Sequence, residues 1–181
     1  MWDYLIVTAA NDRQAAAYEF QIETRRRTGL FRDARHVLVL ADAGGRRIGS
    51  GGSTLQCLHE VLRRETALEE DTRDFGEADT ILSRFRILIV HAGGDSRRLP
   101  AYSPCGKIFV PLPGDPAGEI TPTIFDRLVP SFFSMQAGPA EKGQIVVASG
   151  DALLLFDSAE IDFSKEGITA LDRKRRRTGD I

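Results

Sequence analysis

The stretch Ile87–Lys107 constrains this chain most. It opens on the apolar, β-branched run Ile87-Leu-Ile-Val90 and passes at once into His91-Ala-Gly-Gly94. Asp95, Ser96, Arg97 and Arg98 follow, and Lys107 closes the stretch. The run reads as a buried strand. Glycines directly after a strand let the backbone come close to a ligand. Free N–H groups beside fixed cations suit phosphate, with one arginine able to grip it in bidentate fashion. The stretch therefore points to a nucleotide, bound where a strand ends.

The rest of the chain supplies a scaffold for such a site. Tyr4–Thr8 and His36–Leu40 read as two further strands, Arg86–Val90 as the third and Ile145–Ala148 as the fourth. Asn11 or Asp12 can cap a helix that runs toward Arg27, with Gly29 as its stop. Ser53 and Gln56 have capping-box spacing and predict a helix whose apolar face carries Leu55, Leu58, Val61 and Leu62. Thr121 and Pro122 predict another, to about Met135, with Phe125, Leu128, Val129, Phe132 and Phe133 inward. Glu65–Gly76 is charged and reads as an exposed connection. Strands alternating with helices predict an α/β fold with a mainly parallel sheet.

Composition narrows the function classes. The chain has 181 residues and a formal net charge of −2, so no overall field favours nucleic acid or a membrane surface. No apolar run approaches the roughly 20 residues that cross a bilayer. The N-terminus does not read as a signal peptide. Cys57 and Cys105 lack metal-ligand spacing, which fits a reduced, cytoplasmic setting. Arg173–Arg177 is a basic run without apolar partners. Residues 172–181 are expected to form a solvated, disordered tail after a domain spanning residues 1–171.

Two more motifs carry chemistry. Gly49-Ser50-Gly51-Gly52-Ser53 precedes the expected helix start, where free N–H groups and the helix dipole favour an anion. Ser149-Gly150-Asp151 follows the fourth strand, and a carboxylate at the C-terminal end of a strand is a natural Mg²⁺ ligand. His91 reads as a satisfied, buried histidine. Cys105 has no histidine partner to make it a nucleophile. Neither the Walker pattern nor the dinucleotide fingerprint is present: Ile108 follows Gly106-Lys107, and Thr54 stands where the last fingerprint glycine belongs.

Together these residues resemble the sugar nucleotidyltransferases. Ala92-Gly93-Gly94, Arg98-Leu99, Lys107 and Gly150-Asp151 match, while Ser96-Arg97 replaces Gly-Thr and Gly106 replaces a proline. The chain resembles more closely the N-terminal part of the fucokinase/GDP-fucose pyrophosphorylase family. Trp2–Ala9, Arg47–Leu55, His91–Pro100 and Pro104–Lys107 carry that likeness, which runs from Trp2 to about Leu171. It implies a Rossmann-like, GT-A-like nucleotidyltransferase sheet, incomplete here because family members continue further.

The resemblance also implies the reaction. GTP and L-fucose 1-phosphate, a sugar 1-phosphate, would give GDP-L-fucose and pyrophosphate. Catalytic roles fall to Arg98 and Lys107. Nucleotide contacts fall to Gly49, Ser50, Gly51, Gly52 and Ser53, and to Gly93, Gly94, Asp95, Ser96 and Arg97. Which of the two glycine segments wraps the triphosphate stays open. Asp151 would hold Mg²⁺. Two other readings stand beside this one: part of an ATP-dependent L-fucokinase polypeptide, with a C-terminal kinase domain, and a non-catalytic nucleotide-binding module. As a fragment, the chain is expected to turn over little by itself.

Overall fold

The computed structural model describes residues 1–66, 75–94, 100–102, 106–113, 121–135, 143–152, 156, 167, 168 and 170. Four strands, β1 (Trp2–Ala9), β2 (Ala34–Ala41), β3 (Arg86–His91) and β4 (Gln144–Ser149), form one sheet in the order β2-β1-β3-β4. All three pairings are parallel, with Ile6 beside Leu38 on one side and Ile89 on the other, and Ile89 beside Val147. The expected parallel α/β architecture is thus present. Each strand runs one or two residues past its expected ends, save that β3 starts at Arg86 as expected, because flanking backbone stays in register after the apolar run stops.

Alternation along the strands splits the core in two. Leu5, Val7, Leu88 and Val90 face one side and pack on α1 (Asp12–Arg26) and α4 (Ile124–Phe133) through Tyr18, Ile22, Phe125, Leu128 and Phe132. Tyr4, Ile6, Ile87 and Ile89 face the other side and pack on Cys57 and Val61 of α2 (Gly49–Thr66) and on Leu82 of α3 (Phe75–Leu82).

Asn11 is the N-cap of α1, its side chain accepting the Gln14 N–H at 2.9 Å. That helix ends at Arg26, and Gly29 takes φ 76° just beyond it. Two helix starts differ from expectation. The second helix begins at Gly49, not Ser53. Ser53 is no cap: its hydroxyl donates to Asp42 Oδ1 at 2.5 Å, and Gln56 Nε2 donates to the Ala41 carbonyl at 2.8 Å. Gly52 lies inside the helix with Ile48 packed over it, 2.9 Å from where a Cβ would stand. The fourth helix begins at Ile124, not Thr121. Pro122 is held in extended pairing, its carbonyl accepting Leu112 N–H at 2.8 Å, so the cap falls to Thr123 in a box with Asp126.

The charged connection Glu65–Gly76 is shorter than expected, since α2 runs through Thr66 and α3 starts at Phe75. The basic run Arg173–Arg177 and the tail 172–181 lie outside the described residues. Among the described residues, no helix is long and apolar enough to cross a membrane.

Candidate active site

Because the strands are parallel, the turns after them leave at one rim. The strand order reverses direction at β1, so the crevice between β1 and β3 is the switch point where α/β sheets take ligands. Gly93 sits there. A Cβ on it would stand 3.2 Å from the Ala10 nitrogen and 3.3 Å from the Ala9 carbonyl carbon, so the two turns approach at a distance that any side chain would crowd.

Two side chains one turn apart on α1 tie this turn down. Tyr18 donates its hydroxyl to the Ala92 carbonyl at 2.8 Å, and Gln14 Nε2 donates to the Gly94 carbonyl at 3.4 Å. Gln14 Oε1 accepts the Ala10 N–H at 2.8 Å, joining the turns that follow β1 and β3. The Ala92 and Gly94 carbonyls are therefore drawn toward α1.

Lys107 opens a single 3-10 turn, Lys107–Phe109, anchored by buried Ile108 and Phe109. Phe109 packs edge-on against Tyr18 at 5.2 Å and against Phe125 at 5.0 Å. The lysine is one-third exposed and its Nζ lies 3.5 Å from Asp151 Oδ2. Gly150, just before that carboxylate, donates its N–H to the His91 carbonyl at 2.8 Å; a Cβ there would come within 3.1 Å of His91 O, Ile108 Cδ1 and Ala92 Cβ. The glycine turn, Lys107 and Asp151 thus form one contiguous cluster.

Asp151 is suited to a hard cation. The Ser149 hydroxyl, donating at 2.6 Å, and the Lys107 charge hold its carboxyl below the ordinary carboxylate range despite partial burial. It is ionised and half-exposed. No three His, Cys, Asp or Glu side chains among the described residues cluster closely enough to hold a metal by themselves. One carboxylate fits Mg²⁺, which completes its shell with substrate phosphates and water. Asp42 follows β2, three strand spacings from Asp151, roughly 14 Å, too far to share an ion.

The other glycine segment reaches the same rim through His91. His91 Nε2 lies 2.9 Å from Thr54 Oγ1 on α2, and Nδ1 lies 3.3 Å from Thr8 Oγ1 on β1. Both ring nitrogens are occupied, as expected for a satisfied histidine, and burial pushes its pKa down. Gly49, Ser50, Gly51, Gly52 and Ser53 are the first turn and a half of α2, with Ser53 buried against Asp42. Of the expected site residues, Gly93, Gly94, Lys107 and Asp151 come together. Asp95, Ser96, Arg97 and Arg98 lie outside the described residues, as does Cys105.

A family model of the fucose pyrophosphorylase domain matches residues 79–174, just over half the chain and the part that carries β3, Lys107 and Asp151. The chain belongs to the fucose pyrophosphorylase family. It is 31% identical over 176 residues to the bifunctional fucokinase/GDP-fucose pyrophosphorylase of Arabidopsis thaliana, covering 91% of this chain and 17% of that protein. It is 31% identical over 177 residues to the human fucose-1-phosphate guanylyltransferase, covering 94% of this chain and 26% of that one. The L-fucokinase/L-fucose-1-P guanylyltransferase of Bacteroides fragilis is 32% identical over 120 residues, covering 63% of this chain and 12% of that protein. The chain spans about a quarter or less of these relatives' lengths. No solved structure matches it.

The geometry explains one departure of this chain from the wider nucleotidyltransferase pattern. Gly106 takes φ 70°, and a Cβ there would lie 1.9 Å from the Tyr18 hydroxyl. Proline, locked near −65°, cannot adopt that backbone. Sequence reasoning passed over Gln14 and Tyr18. Their signal was slight: two polar-tipped side chains four apart on one helix face, with partners 74 to 80 residues away.

Proposed function

We propose that this chain forms the nucleotide-binding end of a fucose-1-phosphate guanylyltransferase, joining GTP and L-fucose 1-phosphate to give GDP-L-fucose and pyrophosphate in the cytoplasm. The observation that carries this reading is the pairing of Lys107 with Asp151 beside the Gly93–Gly94 turn, in a family of pyrophosphorylases.

An oxygen of the sugar phosphate attacks the α-phosphorus in line. The bond to the bridging oxygen breaks, and pyrophosphate leaves with the electron pair. The nucleophile is already ionised, so no general base is required. Catalysis then rests on holding two anions together and offsetting charge that moves to the leaving group. Backbone N–H groups of Gly93 and Gly94, together with Asp95, Ser96 and Arg97, would cradle the triphosphate, with Arg98 gripping it. The start of α2, Gly49–Ser53, would turn its helix-terminal N–H groups toward the same ligand. Lys107 would swing from Asp151 to the α-phosphate. Asp151 would hold Mg²⁺, which when bound neutralises phosphate oxygens and orients them.

The test is isotopic. With [α-³²P]GTP, L-fucose 1-phosphate and Mg²⁺, label should enter GDP-fucose. Asp151→Asn should lower the rate at least 100-fold while leaving the melting temperature within about 1 °C, since an exposed side chain carries little stability. Label passing instead from [γ-³²P]ATP to free fucose would move the assignment to the kinase named in two relatives. Equal activity in Asp151→Asn would overturn the metal role, and nucleotide binding with no label transfer at all would favour a non-catalytic nucleotide-binding module.

A further inference from the structure

The geometry points to Tyr18 as a positioning residue that sets the glycine turn and the lysine of this site at a fixed separation. The inference rests on the proposed phosphate-binding role of those two segments and adds a residue from a third element that touches neither substrate.

Tyr18 is fully buried on α1, yet its polar tip ends at the rim. It makes two contacts there at once. Its hydroxyl donates to the Ala92 carbonyl at 2.8 Å. The same oxygen fills the space beside Gly106, where a Cβ would stand 1.9 Å away. Its ring packs edge-on against Phe109 at 5.2 Å, two residues beyond Lys107. One side chain therefore touches both segments that would face phosphate.

The direction of the first contact matters. A trans peptide points its C=O and the next N–H to opposite sides, and the described residues hold no cis bond. With the Ala92 carbonyl drawn to Tyr18, the Gly93 N–H is turned away from α1. Gln14, one helical turn earlier, draws in the Gly94 carbonyl at 3.4 Å. An anion site needs this arrangement, with carbonyls withdrawn and N–H groups presented. Without the hydroxyl, that peptide is free to rotate and would offer a carbonyl oxygen to a polyanion.

The second contact sets the lysine. Gly106 has the left-handed φ of 70° and lies against the phenol, so the path of the chain into Lys107 is shaped by the Tyr18 tip. Hydrophobic packing of Ile108 and Phe109 fixes the depth of that segment, and the phenol fixes its distance from the glycine turn.

Tyr18→Phe keeps the ring and its packing and removes only the hydroxyl. Tyr4→Phe is the matched control. Tyr4 is equally buried, lies on the opposite face of the sheet, and donates its hydroxyl to Glu65. The measurements are GTP·Mg²⁺ titration calorimetry and amide ¹H–¹⁵N spectra of the full 181-residue chain. Tyr18→Phe is expected to weaken GTP·Mg²⁺ binding about tenfold, the scale of one hydrogen bond, and to move the Gly93, Gly106 and Lys107 amide signals together. Tyr4→Phe is expected to leave the affinity and those three signals unchanged. Unchanged affinity in Tyr18→Phe, or equal weakening in both variants, overturns the positioning role while leaving the proposed function intact. Movement of only one of the two segments also overturns it. Failure of the unsubstituted chain to bind GTP·Mg²⁺, with the three signals still moving together in Tyr18→Phe, overturns the phosphate-binding reading and, with it, the inference.

Discussion

Asp126→Asn tests the ion pair that locks α1 to α4 behind the candidate site. Arg25 is 2% exposed and donates to Asp126 through Nε at 2.7 Å and Nη2 at 2.9 Å. Its remaining donors go to Gln21 and Thr123, and its guanidinium carbon lies 5.1 Å from the Phe109 ring centre. Asp126 also accepts the Thr123 N–H and hydroxyl, each at 2.7 Å, closing the capping box of α4. Asparagine is nearly the same shape but keeps one acceptor oxygen; standing where Oδ2 does, it can hold the cap and Arg25 Nη2, but its NH₂ then faces Arg25 Nε and the negative charge is gone. Removing one partner of a buried pair costs about 3–5 kcal/mol, because the other charge is stranded. Asp126 is one-fifth exposed, so water relieves part of that penalty, and the lower end, about 3 kcal/mol, applies. For a domain of this size that corresponds to a fall of about 6–12 °C in melting temperature. Urea unfolding of the chain, followed by circular dichroism, measures it. A second variant separates stranded charge from lost packing. Arg25→Met in the Asp126→Asn background leaves no buried charge and should recover about 1 kcal/mol or more of the loss. A loss below about 1 kcal/mol in Asp126→Asn, or simple additivity in the double variant, would refute the account of a desolvated pair.

Two further outcomes follow from titratable groups, half-buried His91 and buried Cys57. Burial lowers the pKa of His91 from its ordinary 6.5, so the folded chain resists taking a proton that the unfolded chain accepts. Its contribution is fully present above pH 6.5 and is lost as pH falls from there through the folded value; thermal melts between pH 7.5 and 5.5 should show stability falling, and His91→Gln should flatten that slope. A slope unchanged in His91→Gln would show that other groups carry it. Burial pushes the Cys57 thiol up to about 12, so a disulfide reagent at pH 8 should modify it only on unfolding; rapid labelling of Cys57 in the folded chain would contradict its place between α2 and the sheet.

How much of this was legible depended on how local the cause was. The strands were, because Leu-Ile-Val and Val-Leu-Val-Leu runs leave few alternatives in a short segment. The Asn11 cap was too, since its partner is three residues away. The start of α2 was not. Four residues of glycine and serine look like a loop until Ile48 is seen to cover Gly52 and Ser53 to reach Asp42 across eleven positions. The helix Phe75–Leu82 was hidden by the charged stretch before it, its apolar residues being too few to outweigh that context. At the site, the residue types that suit phosphate and Mg²⁺ stood in plain view. What gathered Lys107 and Asp151 within 3.5 Å was the parallel pairing of β3 with β4, a contact between segments more than fifty residues apart. The bonds by which Gln14 and Tyr18 hold the glycine turn are such distant contacts.

The common direction of the four strands has a practical corollary at the bench. Arg32 lies in the exposed turn that feeds β2, at the end of the sheet away from Lys107 and Asp151. A tether or fluorophore fixed at that position would hang the molecule with its ligand mouth facing the medium, so immobilised protein should keep full access to nucleotide.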